Sequence, residues 1–559
     1  MNAGLRIRHL RGGLYYSTNL RSPEELYGGF TFRDTLRRTL PGFRSRPTFE
    51  TVAQATGGGE IVEPSRTVAV IDVGSNSVRL LVARQLSPVA FEVRDEARFD
   101  ARLGEGQSGG DLTAEGRERG LRALRIVAQV ARSHRPDSLV VVGTEALRRA
   151  PNAAAFIAEA RRQTGLEVRV LSGREEAYAG FLGVVNSTGL TDGYLLDIGG
   201  GSLELMEVVG RELRSMQSAP LGAIYARELY FRSDPPSNRD IRALRKAVRE
   251  QFSLGAALPG FHGTGGAVRN LARIIRLQRR YPLRRLHGFV IERRQLHRLA
   301  TRLASLSPEE RRGFPGLSPA RADTLPAAAI VVDELMELAG ATMLTVAGQG
   351  LREGLAWQEL RPQSPILPAV RDASISGLAL ANGIDERAAR PVAEAAARIF
   401  NTTANLHRLS EADLDLLTSG ARLAAIGMHV DYYNRDRHAE YLVHSGDLHG
   451  FTHREIVLIA ALVRCASNGS PDFSAYRGIV QADDAWRVTV LAAILGAAQA
   501  VYRRNPSPVR SFSAALGGNG LQFELRVEGD IDAELYELER QQRRLETALK
   551  VQLTVEVVR

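Results

Sequence analysis

Residues 70–81 read Val-Ile-Asp72-Val-Gly74-Ser75-Asn76-Ser77-Val-Arg79-Leu-Leu, and residues 195–206 read Leu-Leu-Asp197-Ile-Gly199-Gly200-Gly201-Ser202-Leu-Glu204-Leu-Met. The two stretches match position by position: an apolar strand, an aspartate near its end, a Gly/Ser turn and a second apolar strand. One such unit recurring at wide separation implies two related halves facing each other across a cleft. Glycine lets each turn reverse sharply and brings backbone N–H groups close to an anion. Ser75, Asn76, Ser77 and Ser202 add hydroxyl or amide donors. Asp72 and Asp197 supply the hard oxygen that Mg2+ takes directly or through water. A single copy would be an ordinary hairpin with a glycine turn. Two matched copies describe a clamp for a chain of phosphates.

Three more loops fit the same purpose. Gly143-Thr144-Glu145-Ala-Leu-Arg148 follows the apolar run SLVVV and opens a helix, where free N–H groups and the planar fork of Arg148 suit phosphate oxygens. Gly263-Thr264-Gly265-Gly266 precedes the helical run AVRNLARII, and Gly348-Gln-Gly350-Leu-Arg352-Glu-Gly354 follows the strand MLTVA. Each alone is a glycine-rich turn; with the repeat they surround one cleft.

From Thr67 to about Trp357 short apolar strands alternate with amphipathic helices, including those around Glu115–Arg132 and Ala153–Gln163, which predicts α/β layers. Beyond Pro362 the spacing turns helical, as in Leu378–Leu409 and Thr452–Ser467. After Pro506 and Pro508, a hairpin around Gly-Asn-Gly, a charged helix at Asp532–Leu549 and the strand VQLTVEVV predict a small β–β–α–β unit. The expected division is an extension at 1–64, lobe I at 65–190, lobe II at 191–360, a helical domain at 361–503 and an α+β domain at 504–559. The extension lacks any sustained period, holds a Gly-rich linker, and is expected to be disordered or to reflect a start codon placed too far upstream.

Composition bounds the function. A chain of 559 residues exceeds a single core, and 44% hydrophobic with 24% charged residues is ordinary for a globular protein. No apolar run approaches the length of a membrane span, and the basic N-terminus lacks the apolar core of a secretory signal. Cys465 is the only cysteine, which excludes an intrachain disulfide and a thiolate metal cluster. A cytoplasmic protein without a membrane partner is expected. The net charge of +10 favours anionic partners, yet no zinc-finger spacing, RNA-recognition aromatic motif or basic heptad block supports a specific nucleic acid.

The motifs IDVGSNSVRLLV, GTEALR, SGREEA, DIGGGSLE, PLGA (Pro220–Ala223), GTGGAVRNLA and GLREG occur in the order typical of the exopolyphosphatase / guanosine pentaphosphate phosphatase family, which the chain resembles from about Thr67 to Trp357. The resemblance implies two ribonuclease H-like lobes of the actin, sugar-kinase and heat-shock-chaperone superfamily, an all-α HD-like domain and a small α+β domain. It implies Mg2+-dependent release of terminal phosphate from polyphosphate or pppGpp, and a homodimer. Carried over by motif, Glu176, or else its neighbour Glu175, activates or positions water. Arg148 contacts phosphate, and Asp197, Glu204 and Asp72 serve the metal. Gly74, Ser75, Asn76, Ser77, Gly143, Thr144, Gly199, Gly200, Gly201, Ser202, Gly265 and Gly266 form the phosphate cradle. Without the resemblance, Glu175–Glu176 would read as acidic capping of a helix N-terminus.

The helical half departs from the HD pattern. His407 and His429 are candidate ligands, but Val430 separates His429 from Asp431, and no His-Asp dipeptide occurs there. His438, His444, His449 and His453 cluster without a second carboxylate-rich element. A degenerate domain kept for packing, dimerisation or substrate guidance is the reading. Exopolyphosphatase activity is the leading expectation, pppGpp hydrolysis the alternative, and a non-catalytic polyphosphate or nucleotide sensor a third.

Overall fold

The computed structural model describes residues 65–559, apart from residues 107–109, 256 and 519. The expected extension at 1–64 and the hairpin tip at Asn519 lie outside the described residues.

The first lobe runs β1 (Thr67–Val73), β2 (Val78–Ser87), β3 (Ala90–Phe99), α1 (Ala114–Ser133), β4 (Ser138–Gly143), α2 (Glu145–Arg149), α3 (Ala153–Thr164), β5 (Arg169–Val170) and α4 (Gly173–Val185). Its sheet has the order β3-β2-β1-β4-β5, with an antiparallel meander on one side of β1 and parallel β4 on the other. Ala69, Ile71 and Val73 of β1 enter a core with Leu124, Val127 and Phe156 of α1 and α3. Val68 and Val70 point to a second core on the opposite face. Cover on both faces is why β1 reads as a continuous apolar run rather than an alternation.

The second lobe runs β6 (Gly193–Ile198), β7 (Leu203–Val209), β8 (Glu212–Ala219), α5 (Ala223–Tyr230), α6 (Asn238–Gln251), β9 (Gly260–Thr264), α7 (Gly266–Gln278), β10 (Val290–Glu292), α8 (Arg293–Ser305), α9 (Pro308–Arg312), α10 (Leu325–Leu338), β11 (Met343–Val346) and α11 (Leu351–Leu360). Its sheet order is β10-β11-β9-β6-β7-β8. The run β8-β7-β6-β9-β11 repeats the order and the strand directions of the first lobe, and β10 is an added antiparallel edge. The repeated motif is thus a repeated half-molecule.

Two helices cross between the lobes. α4 closes the first lobe, yet packs Phe181, Leu182 and Val185 against Leu195, Met206 and Val208 of the second. α11 closes the second lobe, yet packs Leu355, Ala356 and Leu360 against Val68, Val70 and Leu81 of the first. Their backbones touch: a Cβ on Gly183 would stand 2.1 Å from the Gly350 carbonyl oxygen, and one on Gly354 1.7 Å from that of Ala179.

The remaining helices are α12 (Val370–Ala381), α13 (Glu386–Thr402), α14 (Ala404–His407), α15 (Glu411–Leu423), α16 (Arg435–Ser445), α17 (His453–Cys465) and α18 (Asp484–Val501). A three-stranded sheet follows, ordered β12-β13-β14, from β12 (Val509–Gly517), β13 (Gly520–Val527) and β14 (Leu553–Val558), with α19 (Asp532–Leu549) inserted before the last strand. Leu462, Leu491 and Ile494 of the helices share one core with Phe512, Phe523 and Leu545 of this unit. Pro506 and Pro508 therefore mark a change of element type within one core. Among the described residues α18 is the one helix long and apolar enough to cross a membrane, with a mean hydropathy of 1.2. This corrects the expectation that no apolar run approaches that length; 72% of the helix is buried inside the protein, which makes it the core helix of this region.

Gly354→Ala should lower stability by at least about 3 kcal/mol, because a rigid carbonyl occupies the place of the new methyl. Gly173→Ala, with nothing within 4 Å of its Cβ position, should shift stability by less than about 1 kcal/mol. Denaturant unfolding of the two variants beside the parent checks the contrast.

Candidate active site

The two repeat turns have the same hydrogen-bonded form. Gly74 N–H donates to the Ser77 carbonyl at 3.1 Å, and Gly199 N–H donates to that of Ser202 at 3.0 Å. A Cβ at either glycine would lie 3.3 Å from the same carbonyl. The PLGA segment braces the second turn: Gly222, Ala223 and Ile224 N–H groups donate to the carbonyls of Gly201, Gly199 and Gly200. Gly265, at φ +96°, approaches so closely that a Cβ there would stand 2.5 Å from the Ile198 carbonyl oxygen. All these turns open onto one cavity of about 570 Å3.

Most of the residues singled out in the sequence line that cavity. Asp72, Gly74, Ser75, Asn76, Ser77, Thr144, Glu176, Asp197, Gly199, Gly200, Ser202, Glu204, Gly265 and Gly266 all do so. Four do not. Gly143 is backed by Leu147, and Gly201 by the carboxylate of Glu145, which occupies the space a Cβ would need. Glu175 sits in the capping box of α4, accepting from the Ser172 N–H and hydroxyl at 2.8 Å each and from Arg169 at 2.7 Å. Those Ser172 bonds hold its pKa below the usual carboxylate range. Arg148, expected against phosphate, donates instead to the Leu171 carbonyl at 2.8 Å and to Glu176 Oε2 at 2.9 Å. The adjacent glutamates thus divide: one caps the helix, and the other enters the cleft.

The cavity has an acidic pole. β6 and β7 place Asp197 directly opposite Glu204, a cross-strand pair of like charge. Burial, then the charges of Asp197 and Glu176, push the Glu204 carboxyl up to about 8 against the opposing hydroxyls of Ser202 and Ser218. Burial also pushes Glu176 up to about 7, with Arg148 pulling the other way and Asp72 and Asp197 adding to the rise. Asp72 and Asp197 are raised by burial as well.

A basic pole stands beside it. The first repeat pairs Asp72 with Arg79 where the second pairs Asp197 with Glu204. Arg79 is joined in the cavity wall by Arg269, Arg321 and Arg352. Burial and neighbouring arginines hold Arg269 and Arg321 down to about 10. Arg269 donates to the Gly348 carbonyl at 3.2 Å, and the Arg321 guanidinium lies over Gly266. Arg269 and Arg352 were within quoted motifs without being read as site residues, although their positions after glycine turns were the available signal. Arg321 comes from the loop between α9 and α10, where no motif marks it.

The histidines of the helical half are engaged otherwise. His407 is buried, with Nε2 at 2.9 Å from the Phe400 carbonyl and Nδ1 accepting from Leu409 N–H. His449 Nε2 lies 3.0 Å from the Gln349 amide, and His453 lies between Tyr281 OH at 3.0 Å and the His287 carbonyl at 2.9 Å. His444 meets Tyr476 OH, while His429 is exposed and His438 half-buried.

Sequence comparison adds its evidence to this geometry. The sequence model of the Ppx/GppA phosphatase family matches residues 82–362, and that of Ppx/GppA phosphatase, domain III, matches residues 370–541. The chain belongs to the Ppx/GppA phosphatase family. Among solved structures, an exopolyphosphatase from Cytophaga hutchinsonii is 22% identical at a TM-score of 0.51, covering 54% of this chain and 99% of that one. A Ppx/GppA family member from Aquifex aeolicus is 26% identical at a TM-score of 0.49, again covering 54% of this chain and 99% of its own. The first shares the fold of the Ppx/GppA lobes. The two-lobed cleft is accordingly that of the Ppx/GppA fold, and the domain III match runs through the helices into α19.

The raised carboxyls have a consequence for stability in metal-free protein. Between about pH 4.5 and 8 folded Glu204 keeps a proton that the unfolded chain releases, so its contribution to stability falls as pH rises through that window. Glu204→Gln removes this loss. In chelator-treated protein its melting temperature should gain on the parent's as pH goes from 5 to 8, and a constant difference would contradict the burial of this carboxyl.

Proposed function

We propose that the protein is a Mg2+-dependent exopolyphosphatase that hydrolyses the terminal phosphoanhydride bond of inorganic polyphosphate. The observation that carries this reading is the position of Glu176, a half-buried carboxylate held by Arg148 at 2.9 Å on the cavity wall. A group held near pH 7 can both accept a proton from water and release it. Glu176 takes the water proton as its oxygen attacks the terminal phosphorus, and Arg148 keeps the carboxylate aimed. The N–H groups that follow Gly74 and Gly199 in the two turns hold non-bridging oxygens, while Arg79, Arg269 and Arg352 meet the charge left on the departing chain. Phosphoryl transfer needs little covalent help, so positioning and charge neutralisation supply most of the rate.

The acidic pole fits a hard divalent cation. Asp72 Oδ1 is buried without a hydrogen-bond partner, and Asp197 and Glu204 are like charges held together. Among the described residues no three His, Cys, Asp or Glu side chains gather closely enough to enclose an ion. Mg2+ suits such a site, since it commonly uses one or two carboxylates and completes its shell with water and substrate phosphate. Of Asp72, Asp197 and Glu204, one or two would hold it directly and the rest through its water shell, and the bound ion would neutralise charge on the phosphate oxygens.

Hydrolysis of pppGpp is the second reading, because it presents a terminal phosphoanhydride to the same cleft. The segregated arginines favour the longer polyanion. Phosphate release from long-chain polyphosphate and from pppGpp, measured side by side with Mg2+, decides between them. Glu176→Gln should reduce turnover by roughly 10²–10⁴-fold with substrate binding retained. Glu175→Gln, which conserves the capping geometry, should stay within about tenfold of the parent. A large preference for pppGpp would replace the first reading with the second, and binding without turnover would favour a sensor.

A further inference from the structure

The chain's excess charge is concentrated in one segment. Residues 269–302 hold eleven arginines, no lysine and a single acid, Glu292, a formal +10 equal to that of all 559 residues. The segment comprises most of α7, the connection to β10, and most of α8. Arg285 and Arg293 are paired with acids, Arg285 with Asp447 and Arg293 with Asp333 and Glu337. Arg273, Arg280, Arg284, Arg294 and Arg298 are exposed, and their side chains have no ion pair or hydrogen bond among the described residues.

On α7 this charge is ordered. Arg269, Arg273 and Arg276 follow at spacings of four and three, which puts them on one helical face, and Arg280 lies just past the helix end. The opposite face buries Val268, Leu271 and Ile275. The innermost arginine lines the cleft and bonds the Gly348 carbonyl, and the stripe then reaches solvent at Arg273. At 1.5 Å per residue it runs roughly 10 Å along the helix to Arg276, beside which Arg284 stands. Burial and the charges of Arg273 and Arg284 hold Arg276 below the ordinary arginine pKa, a sign that these cations stand close without acids between them.

We propose that this stripe is the track on which the distal part of a polyphosphate chain lies while its terminal phosphate occupies the cleft. The proposal rests on reading the cleft as a phosphoanhydride site. A linear polyanion is favoured over a nucleic-acid duplex or an acidic membrane because the stripe is one helix face wide and begins inside the cavity. A chain held at several arginines gains affinity by multivalency and by release of counterions.

The test uses the full chain with Arg273→Glu and Arg284→Glu combined, its fold checked by circular dichroism. Steady-state kinetics on long-chain polyphosphate and on tripolyphosphate, at several salt concentrations, give the readout. The ratio of kcat/KM for the long chain to that for tripolyphosphate should fall at least tenfold, mostly through KM. The slope of log KM against log salt should become shallower by about 2. An unchanged ratio overturns the track, as does an equal fall on both substrates, which would place the effect in the cleft. If the parent hydrolyses neither substrate, the cleft reading fails and equilibrium binding of long polyphosphate tests the track separately. Binding weakened tenfold in the variant upholds the track, and equal binding overturns it. Binding of single-stranded RNA or anionic vesicles weakened as much as that of polyphosphate makes the patch a general polyanion surface and also overturns it.

Discussion

The contact between α4 and α11 is the constraint on which the cleft depends. Gly183 and Gly354 let the two backbones meet with no side chain between them. Each helix belongs in sequence to one lobe and packs on the sheet of the other, so the crossing couples the cores of both halves. Protein interiors are close-packed, and a crossing at backbone distance has almost no slack in which to slide. α4 carries Glu176 in its first turn, and α11 starts with Arg352 and Glu353 at the cavity wall. The same contact that joins the lobes fixes a carboxylate and an arginine relative to each other.

Duplication explains the symmetry of the cleft, and one position explains its polarity. Both repeat turns close with the same glycine-to-serine backbone bond and open onto the same cavity, so the turns alone do not distinguish its two sides. The cross-strand partner of the aspartate differs, arginine at 79 and glutamate at 204. One side becomes a mixed pair beside Arg269 and Arg352. The other becomes an acid pair whose carboxyls resist ionisation until a cation or proton compensates them. A cleft in which carboxylates adjoin arginines can seat a polyanion together with its cation, whereas a uniformly basic one could only attract it.

Legibility in the sequence followed locality. The strand–turn–strand units could be read because glycine, serine and aspartate act within a few residues, and β1 and β6 showed their two-sided burial as unbroken apolar runs. The choice between Glu175 and Glu176 was not settled by the residues, since both suit a helix N-terminus. In the fold the two differ in surroundings: the capping box of Ser172 takes Glu175 and leaves Glu176 to Arg148 on the cavity wall. Arg148 was placed on the substrate because an arginine after a glycine turn suits phosphate. Its actual partners, Leu171 and Glu176, lie 23 and 28 residues away and could not be seen from its own motif. Arg321 was invisible for the same reason, being carried to the cleft by a loop without a signature.

The helical half also bears on the cleft. His449 contacts Gln349, and His453 contacts the carbonyl of His287, whose Nδ1 in turn accepts the Gly348 N–H at 3.0 Å. Gly348 and Gly350 line the cavity, and the Gln349 carbonyl between them accepts from Thr264. Burial drives His287 and His449 down to about 3 and His453 to about 4, so all three are neutral at physiological pH. A neutral imidazole in an apolar interface is a connector with one donor and one acceptor, and it keeps that role across the pH range in which the cleft carboxyls change charge. Of the histidines that cluster in the helical half, His449 and His453 therefore act as struts to the loop at residues 348–350, His453 by way of His287.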